Sequence, residues 1–355
     1  MLKRLLILII VPICLIFIRC NKESKHIENK VISVKTVLNL GNLTPPLFNF
    51  VMDAQRVFDI DENGIFYFLD SQKHRILKYS KLGQSIGQIG SIGQDESGIF
   101  YPSAIKISGN VIYIGDKGGK KIKLFSLNGD FINGFNIDKS HKLNWLDVEG
   151  DRIFANVRYV TPDTFNKNKL ISVFDKKGLK KGEFGKILES QSIYGYFSFN
   201  TSYFYVIDEG NIIGTFKFYP FIFNIKSEGS QVYFKNISTL SPEFQYKWNL
   251  SQSGDSDRPD KIRIGDSSGP ITMINFCEGF AVDAEKNIYY AINTSTSKGT
   301  VFRFDKNGNI IEKLILKSTE GVMNVVYLFI DKYTNTRYGI GDIIGNIPKT
   351  ILFKF

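Results

Sequence analysis

With 355 residues, of which 43% are hydrophobic, 14% aromatic and 23% charged, the chain has ample material for a buried core, which excludes a disordered polymer. Phe (30) and Tyr (17) are abundant and Gly (31) recurs at turn-like positions, so the composition points to strands and hairpins and to an all-β chain. The formal net charge of +10 is spread along the chain and not gathered into arginine-rich runs, which argues against a nucleic-acid binder.

The first element in chain order is a targeting segment. Lys3 and Arg4 precede an apolar run, residues 5–18, that is shorter than the roughly 20 residues of a membrane span, so residues 1–19 read as a signal peptide. Cys20 then opens the polar stretch Asn21-Lys22-Glu23-Ser24. A cysteine in this place resembles a bacterial lipoprotein signal, although Arg19 stands where such signals usually carry a small residue. The resemblance implies export, acylation of Cys20 and anchoring to a membrane of the cell envelope through the lipid alone. Residues 20–30 lack apolar periodicity and are expected to form an unstructured tether, leaving 31–355 as the folded domain. With Cys14 removed and Cys20 acylated, Cys277 has no disulfide partner and reads as a small buried hydrophobe.

Two landmarks then recur along the chain. The first is a short turn followed by an aromatic and aliphatic run: Gly64-Ile65-Phe66-Tyr67-Phe68, Asn110-Val111-Ile112-Tyr113-Ile114, Asp151-Arg152-Ile153-Phe154-Ala155, Ser202-Tyr203-Phe204-Tyr205-Val206, Asn287-Ile288-Tyr289-Tyr290-Ala291 and Thr336-Arg337-Tyr338-Gly339-Ile340. The second is an apolar residue with a glycine four positions later, the mark of a strand entering a hairpin that needs φ > 0: Tyr79 and Gly83, Phe125 and Gly129, Phe174 and Gly178, Ile225 and Gly229, Phe304 and Gly308. An apolar inner strand opens each repeat: Val57-Phe58-Asp59-Ile60, Ala104-Ile105-Lys106-Ile107, Leu146-Asp147-Val148, Phe197-Ser198-Phe199, Phe280-Ala281-Val282 and Leu328-Phe329-Ile330. The repeat length suits four-stranded blades, so the expected fold is a six-bladed β-propeller. Because the chain stops after the third strand of the last blade, residues 31–38 are expected to supply the fourth strand and close the ring. One repeat step is long, and residues 239–274 read as a loop insertion between blades 4 and 5, polar and breaker-rich from Ser251 to Asp260.

Residues 58–98 resemble an NHL repeat, through Asp61-Glu62-Asn63-Gly64-Ile65-Phe66-Tyr67, then Asp70-Ser71-Gln72-Lys73-His74-Arg75-Ile76, then Tyr79 to Gly83 and Gly87-Gln88-Ile89-Gly90. The second repeat keeps Asp116 and Ile122 but has Lys121 where the motif carries arginine. The resemblance implies a propeller of the NHL or TolB-like kind, a fold shared by lyases, lactonases, scaffolds and ligand binders.

The candidate residues lie on the face formed by the second-to-third strand loops and the links between blades. Lys73, His74, Lys117, Lys120, Tyr159, Phe165 and Lys298, with Trp248 in the insertion, combine cations with aromatic area and suit a peptide, glycan or protein partner of anionic or polar character. Asp70 is a turn-former and Arg75 its natural partner. No nucleophile elbow, P-loop or H-E-x-x-H site is present, so the chain reads as a non-catalytic binding or scaffold protein with no catalytic residue and no cofactor. The alternative is a calcium-dependent hydrolase or lactonase with its site in the central channel. Asp255, Asp257 and Asp260 fail the EF-hand spacing, and His74 and His141 are too few for zinc, so no metal ligands are assigned.

Overall fold

The computed structural model describes residues 27–42, 56–93, 95–137, 141–159, 169–188, 199–252, 261–266, 269–295, 298–344 and 349–355. Their strands form a six-bladed β-propeller. Blade 1 is Phe58–Ile60, Phe66–Asp70, Arg75–Tyr79 and Ser85–Ile89, and blade 2 is Pro102–Ser108, Val111–Asp116, Lys121–Ser126 and Phe131–Asn136. Blade 3 is His141–Glu149, Arg152–Tyr159, Ile171–Asp175 and Lys180–Phe184, and blade 4 is Ser202–Val206, Asn211–Phe216, Phe221–Lys226 and Gln231–Asn236. Blade 5 holds Gly279–Val282, Ile288–Ile292, Thr300–Phe304 and Ile310–Lys317, and blade 6 holds Val322–Ile330, Arg337–Ile344 and Lys349–Lys354.

The hairpin glycines do what their spacing predicts. At each of the five third-to-fourth turns a glycine N–H donates to the carbonyl three residues back (Gly83 to Ser80, Gly129 to Ser126, Gly178 to Asp175, Gly229 to Lys226, Gly308 to Asp305) with φ between 73° and 102°. The same glycines allow blades to pack closely. A Cβ on Gly178 would lie 2.4 Å from the Phe135 ring of blade 2, and one on Gly308 would lie 2.9 Å from Ile222 of blade 4. Local backbone freedom and packing between blades therefore come from the same residue.

The ring closes with the N-terminal segment, by a route longer than a single strand. Lys35–Asn39 pairs antiparallel with Lys349–Lys354 and completes blade 6, Thr36 facing Phe353. Asn29–Ser33 instead adds to blade 5 as a fifth strand, parallel to Ile310–Lys317, with Val31 facing Ile315. The expected strand over 31–38 is thus split between two blades, and Val34 N–H donates to Lys317 O at 2.9 Å where the chain passes from one to the other. Asn29 and Lys30 belong to the propeller and not to the tether.

Blade 4 corrects a second expectation. Ser202–Val206 is its innermost strand and Asn211–Phe216 its second, so the Ser202 run lies one strand further in than its pattern predicts. The reason is compositional: the inner strand of blade 4 carries three aromatics in five residues, as many as the second strand of blade 1, and so imitates the run that marks second strands elsewhere. Phe197 and Ser198 lie outside the described residues.

The insertion is also more ordered than a loop. Pro242–Gln252 is a helix, and Lys261–Asp266 and Gly269–Ile274 form a hairpin. Ser241 is the helix N-cap, accepting the Phe244 N–H at 3.3 Å, with Pro242 in the first turn where its missing N–H costs nothing. Phe244 is wholly buried among Phe276, Tyr290 and Phe302, whose ring centroids lie 6.2, 5.4 and 4.8 Å away.

Candidate functional site

The inner strands bring an unforeseen set of side chains into the central channel. Asp59, Lys106 and Asp147 sit near the ends of the inner strands of blades 1, 2 and 3 and are buried. Each carboxylate bonds its own strand and the next blade along: Asp59 accepts from Ile60 N–H (2.9 Å) and Ile107 N–H (2.8 Å), Asp147 from Val148 N–H (3.0 Å) and Val206 N–H (2.9 Å). Lys106 Nζ lies 3.2 Å from Asp147 and 3.8 Å from Asp59.

Arg56, which enters blade 1, crosses the channel. Its Nη1 donates to Leu146 O at 3.1 Å and lies 3.2 Å from Asp147, both in blade 3. The guanidinium carbon is 5.4 Å from the centroid of the Trp145 ring and 5.1 Å from that of Tyr205, on the inner strand of blade 4, opposite blade 1 in the ring. Arg56 is 0% exposed, so its guanidinium is shielded from solvent at this level of the channel. Its Nε and Nη2 are buried with no hydrogen-bond partner among the described residues, Nη2 lying 3.8 Å from Asp59.

Electrostatics follow from this packing. Burial would raise the Asp147 carboxyl, but Lys106 and then Arg56 outweigh it and hold it below the ordinary aspartate range. Burial, aided by the Arg56 charge, lowers Lys106. Burial would also lower Arg56, yet Asp147 and Asp59 raise it, so the guanidinium stays charged. The other half of the channel is aromatic. Phe58 meets Tyr327 and Phe329 of blade 6 at 5.5 and 4.8 Å, and Tyr205 meets Phe280 of blade 5 at 6.2 Å. Two cations and two carboxylates thus stitch blades 1 to 3 together, and rings stitch the rest.

The loop-face residues are arranged differently. Lys73 lies in the second-to-third turn of blade 1, Lys117 and Lys120 in that of blade 2 and Lys298 in that of blade 5, all exposed and without an ion pair among the described residues. His74 does not face solvent. It is buried, its Nδ1 accepts the Tyr101 N–H at 2.8 Å and its ring stacks on Phe100 at 5.5 Å, so it organises the face from beneath. Asp70 and Arg75 are structural, as their spacing predicts: Asp70 accepts from Lys73 N–H and from Arg75 Nε, each at 3.1 Å. In blade 2 the cation that meets Asp116 is Lys123, at 3.3 Å, and not Lys121. Tyr159 ends the second strand of blade 3, and Phe165 lies outside the described residues.

The helix of the insertion sits on this same face, over blade 5. Lys247 Nζ reaches Glu278 at 2.8 Å, Glu243 pairs with Lys313, and the Tyr246 hydroxyl is 3.0 Å from Ser295 Oγ. Trp248 is half-buried. Cys277 is fully buried, its thiol donating to Gly279 O at 3.4 Å, and burial pushes that thiol well up. Among the described residues no three His, Cys, Asp or Glu side chains converge as a metal site would require. Cys20 and the apolar run before it lie outside the described residues.

Sequence reasoning passed over Arg56, Asp59, Lys106, Asp147 and Tyr101. A usable signal was present for three of them, namely a charged residue at the same place in three otherwise apolar inner strands.

No family model matches the chain, and no curated protein matches it in sequence. Among solved structures, one similar protein is from Bacteroides fragilis and is named for its inferred export (TM-score 0.55, 14% identity, covering 92% of this chain and 99% of that one). A calcium-binding regucalcin from Agrobacterium tumefaciens has a TM-score of 0.51 at 12% identity, covering 92% of this chain and 96% of its own. A member of the DUF4221 family from Bacteroides vulgatus has a TM-score of 0.50 at 12% identity, covering 85% and 91%. At such identities the likeness is one of fold.

Proposed function

We propose that the chain is an exported, lipid-anchored propeller of the NHL kind that works as a non-catalytic binding or scaffold protein, engaging its partner through the loop face. The observation that carries this reading is Arg56 lying across the channel. A calcium-dependent hydrolase would use the channel as its site, and calcium takes six to eight oxygen ligands. Here the inward carboxylates of Asp59 and Asp147 are already bonded to backbone N–H groups and faced by Lys106 and Arg56. Calcium would have to displace a fully buried guanidinium, leaving it without a counter-charge. The loop face supports the binding role through its unpaired lysines.

Calcium titration followed by thermal unfolding tests the reading. The melting temperature is expected to be the same in millimolar calcium and in chelator; a calcium-dependent rise that Asp147→Asn abolishes would establish the rival. Mass spectrometry of membrane-extracted protein is expected to show an acylated Cys20 as the N-terminal residue, and a free Cys20 thiol would remove the anchor from the proposal.

A further inference from the structure

We propose that Tyr101, with Lys73 on one side and Lys117 and Lys120 on the other, is the contact point for a linear anionic glycan crossing the seam between blades 1 and 2. This rests on the loop-face reading above and adds to it a residue and a partner class. Tyr101 lies in the link between the two blades, the residue 54% exposed and its φ at +54°. A bulky residue there is strained, at a cost of about 1–3 kcal/mol. Two other residues in this seam, His74 (φ 57°) and Lys120 (φ 54°), occupy the same place in equivalent turns, four positions after Asp70 and Asp116, and the turn accounts for them. Tyr101 is in no such turn.

The conformation is held from both sides. Tyr101 N–H donates to His74 Nδ1 at 2.8 Å, on the blade 1 side. On the blade 2 side, Phe100 N–H donates to Asp116 at 2.9 Å and Phe100 O accepts from Gly118 N–H at 2.8 Å. Asp116 is anchored in turn by the buried Lys123. Buried polar groups are thus spent on turning one ring outward. Lys73 adjoins His74, which holds the Tyr101 N–H, and Lys117 adjoins Gly118, which holds Phe100 O, so exposed lysines stand in the two turns that grip Tyr101 from either blade. Asp95 and Glu96 are the exposed acids of the same link; Asp95 turns back to accept the Gly98 N–H at 2.7 Å.

The chemistry of this patch favours a glycan. A pyranose presents an apolar C–H face that stacks on an aromatic ring while its carboxylates or sulfates project sideways, toward the lysines. Lysines act as point charges without the bidentate fork of arginine, which suits anionic groups repeated along a polymer in varying orientation. A protein partner would call for arginine and several exposed aromatics in a desolvated core, whereas here the Tyr101 ring is backed edge-on by the buried His74 at 4.5 Å and the half-buried Phe100 at 4.7 Å, and Ile92 is the other exposed large apolar residue of the link.

The full chain would be titrated with polygalacturonate, with neutral dextran, polyglutamate and phosphatidylglycerol vesicles alongside. Tyr101→Gly, which relieves the backbone but loses the ring contacts with His74 and Phe100, is expected to weaken polygalacturonate binding at least tenfold while melting close to the parent temperature, because the two effects oppose each other. Tyr101→Phe is expected to bind like the parent. Failure of the parent to bind polygalacturonate, undiminished binding by Tyr101→Gly, or tighter binding of polyglutamate or of vesicles would each overturn the proposal. If charge reversal at Lys73, Lys117 and Lys120 abolishes binding of every anion while Tyr101→Gly has no effect, this proposal fails and the loop-face reading stands; if neither matters, both fail.

Discussion

The channel and the seam between blades 1 and 2 use the same residue types, lysine, aspartate and tyrosine, to opposite ends. In the channel every charge faces its opposite, and the carboxylates bond the backbone of the neighbouring blade, Asp59 to Ile107 and Asp147 to Val206. At the seam the aspartates fix turns from within, as Asp70 and Asp116 do, and the lysines above them are left to solvent. Charge in the first region specifies how blades are set against one another; charge in the second is available to something outside. Changes in the channel should therefore register in stability and changes at the seam in association.

Ring closure gives the largest expected effect, because it controls whether there is a channel at all. Removing residues 29–39 takes the fourth strand from blade 6 and the fifth from blade 5, exposing two strand edges that can recruit other chains. Loss of cooperative melting and aggregation on size-exclusion chromatography are expected. Ending the deletion at Ser33 spares Lys35–Asn39, and that variant is expected to remain monomeric with a lower melting temperature. Equal damage from both deletions would mean that the parallel strand on blade 5, and not the fourth strand of blade 6, closes the ring.

Next in size is the channel network. Arg56→Met leaves Asp147 buried with Lys106 alone, and breaking a buried pair in this way costs about 3–5 kcal/mol, measurable by denaturant unfolding. A cost below about 1 kcal/mol would show that the guanidinium merely fills space. The pH dependence gives a second reading of the same network. Burial would raise Asp147, but Lys106 and Arg56 hold it below the ordinary range, so its folded-state value lies below its unfolded one of about 3.9. Its contribution to stability is then complete above that unfolded value and is lost as pH falls through it and on below the folded one. Asp147→Asn is expected to flatten the fall in melting temperature between about pH 4 and pH 2.

These residues also mark where the sequence stops being legible. The hairpins announce themselves, since a glycine four positions after an apolar residue is a local requirement for positive φ, and all five are where the spacing puts them. Helix entry at Ser241-Pro242-Glu243 carried an equally local signal that the polar run after it obscured. By contrast, Arg56 meets Asp147 and Trp145 across most of three blades, a pairing that no window of sequence contains. Tyr101 could not be singled out either, because its significance lies in a φ value and in hydrogen bonds to two blades. The six blades were readable as repetition. What joins them, and what they leave exposed, is set by contacts between repeats.

The smallest expected effect on stability is at the seam, and it is the sharpest test of the comparison. Lys73, Lys117 and Lys120 are exposed and without ion pairs among the described residues, so replacing each with glutamate is expected to change unfolding free energy by no more than about 0.5 kcal/mol. Their charges nevertheless act at a distance, raising the encounter rate with an anionic partner in a way that salt screens over a Debye length of about 10 Å at 0.1 M. Reversing them is expected to slow association and reverse the sign of its salt dependence, with little change in melting. Charge changes at Lys81 and Asn128, beside Gly83 and Gly129 in the third-to-fourth turns, supply the control, because those turns lie on the opposite face of the ring. Stopped-flow association measured over a range of ionic strength distinguishes the two sets. Equal slowing by both would place the binding surface away from the loop face, and a stability loss from the lysine set comparable to that of Arg56→Met would show that the seam, like the channel, spends its charge on the fold.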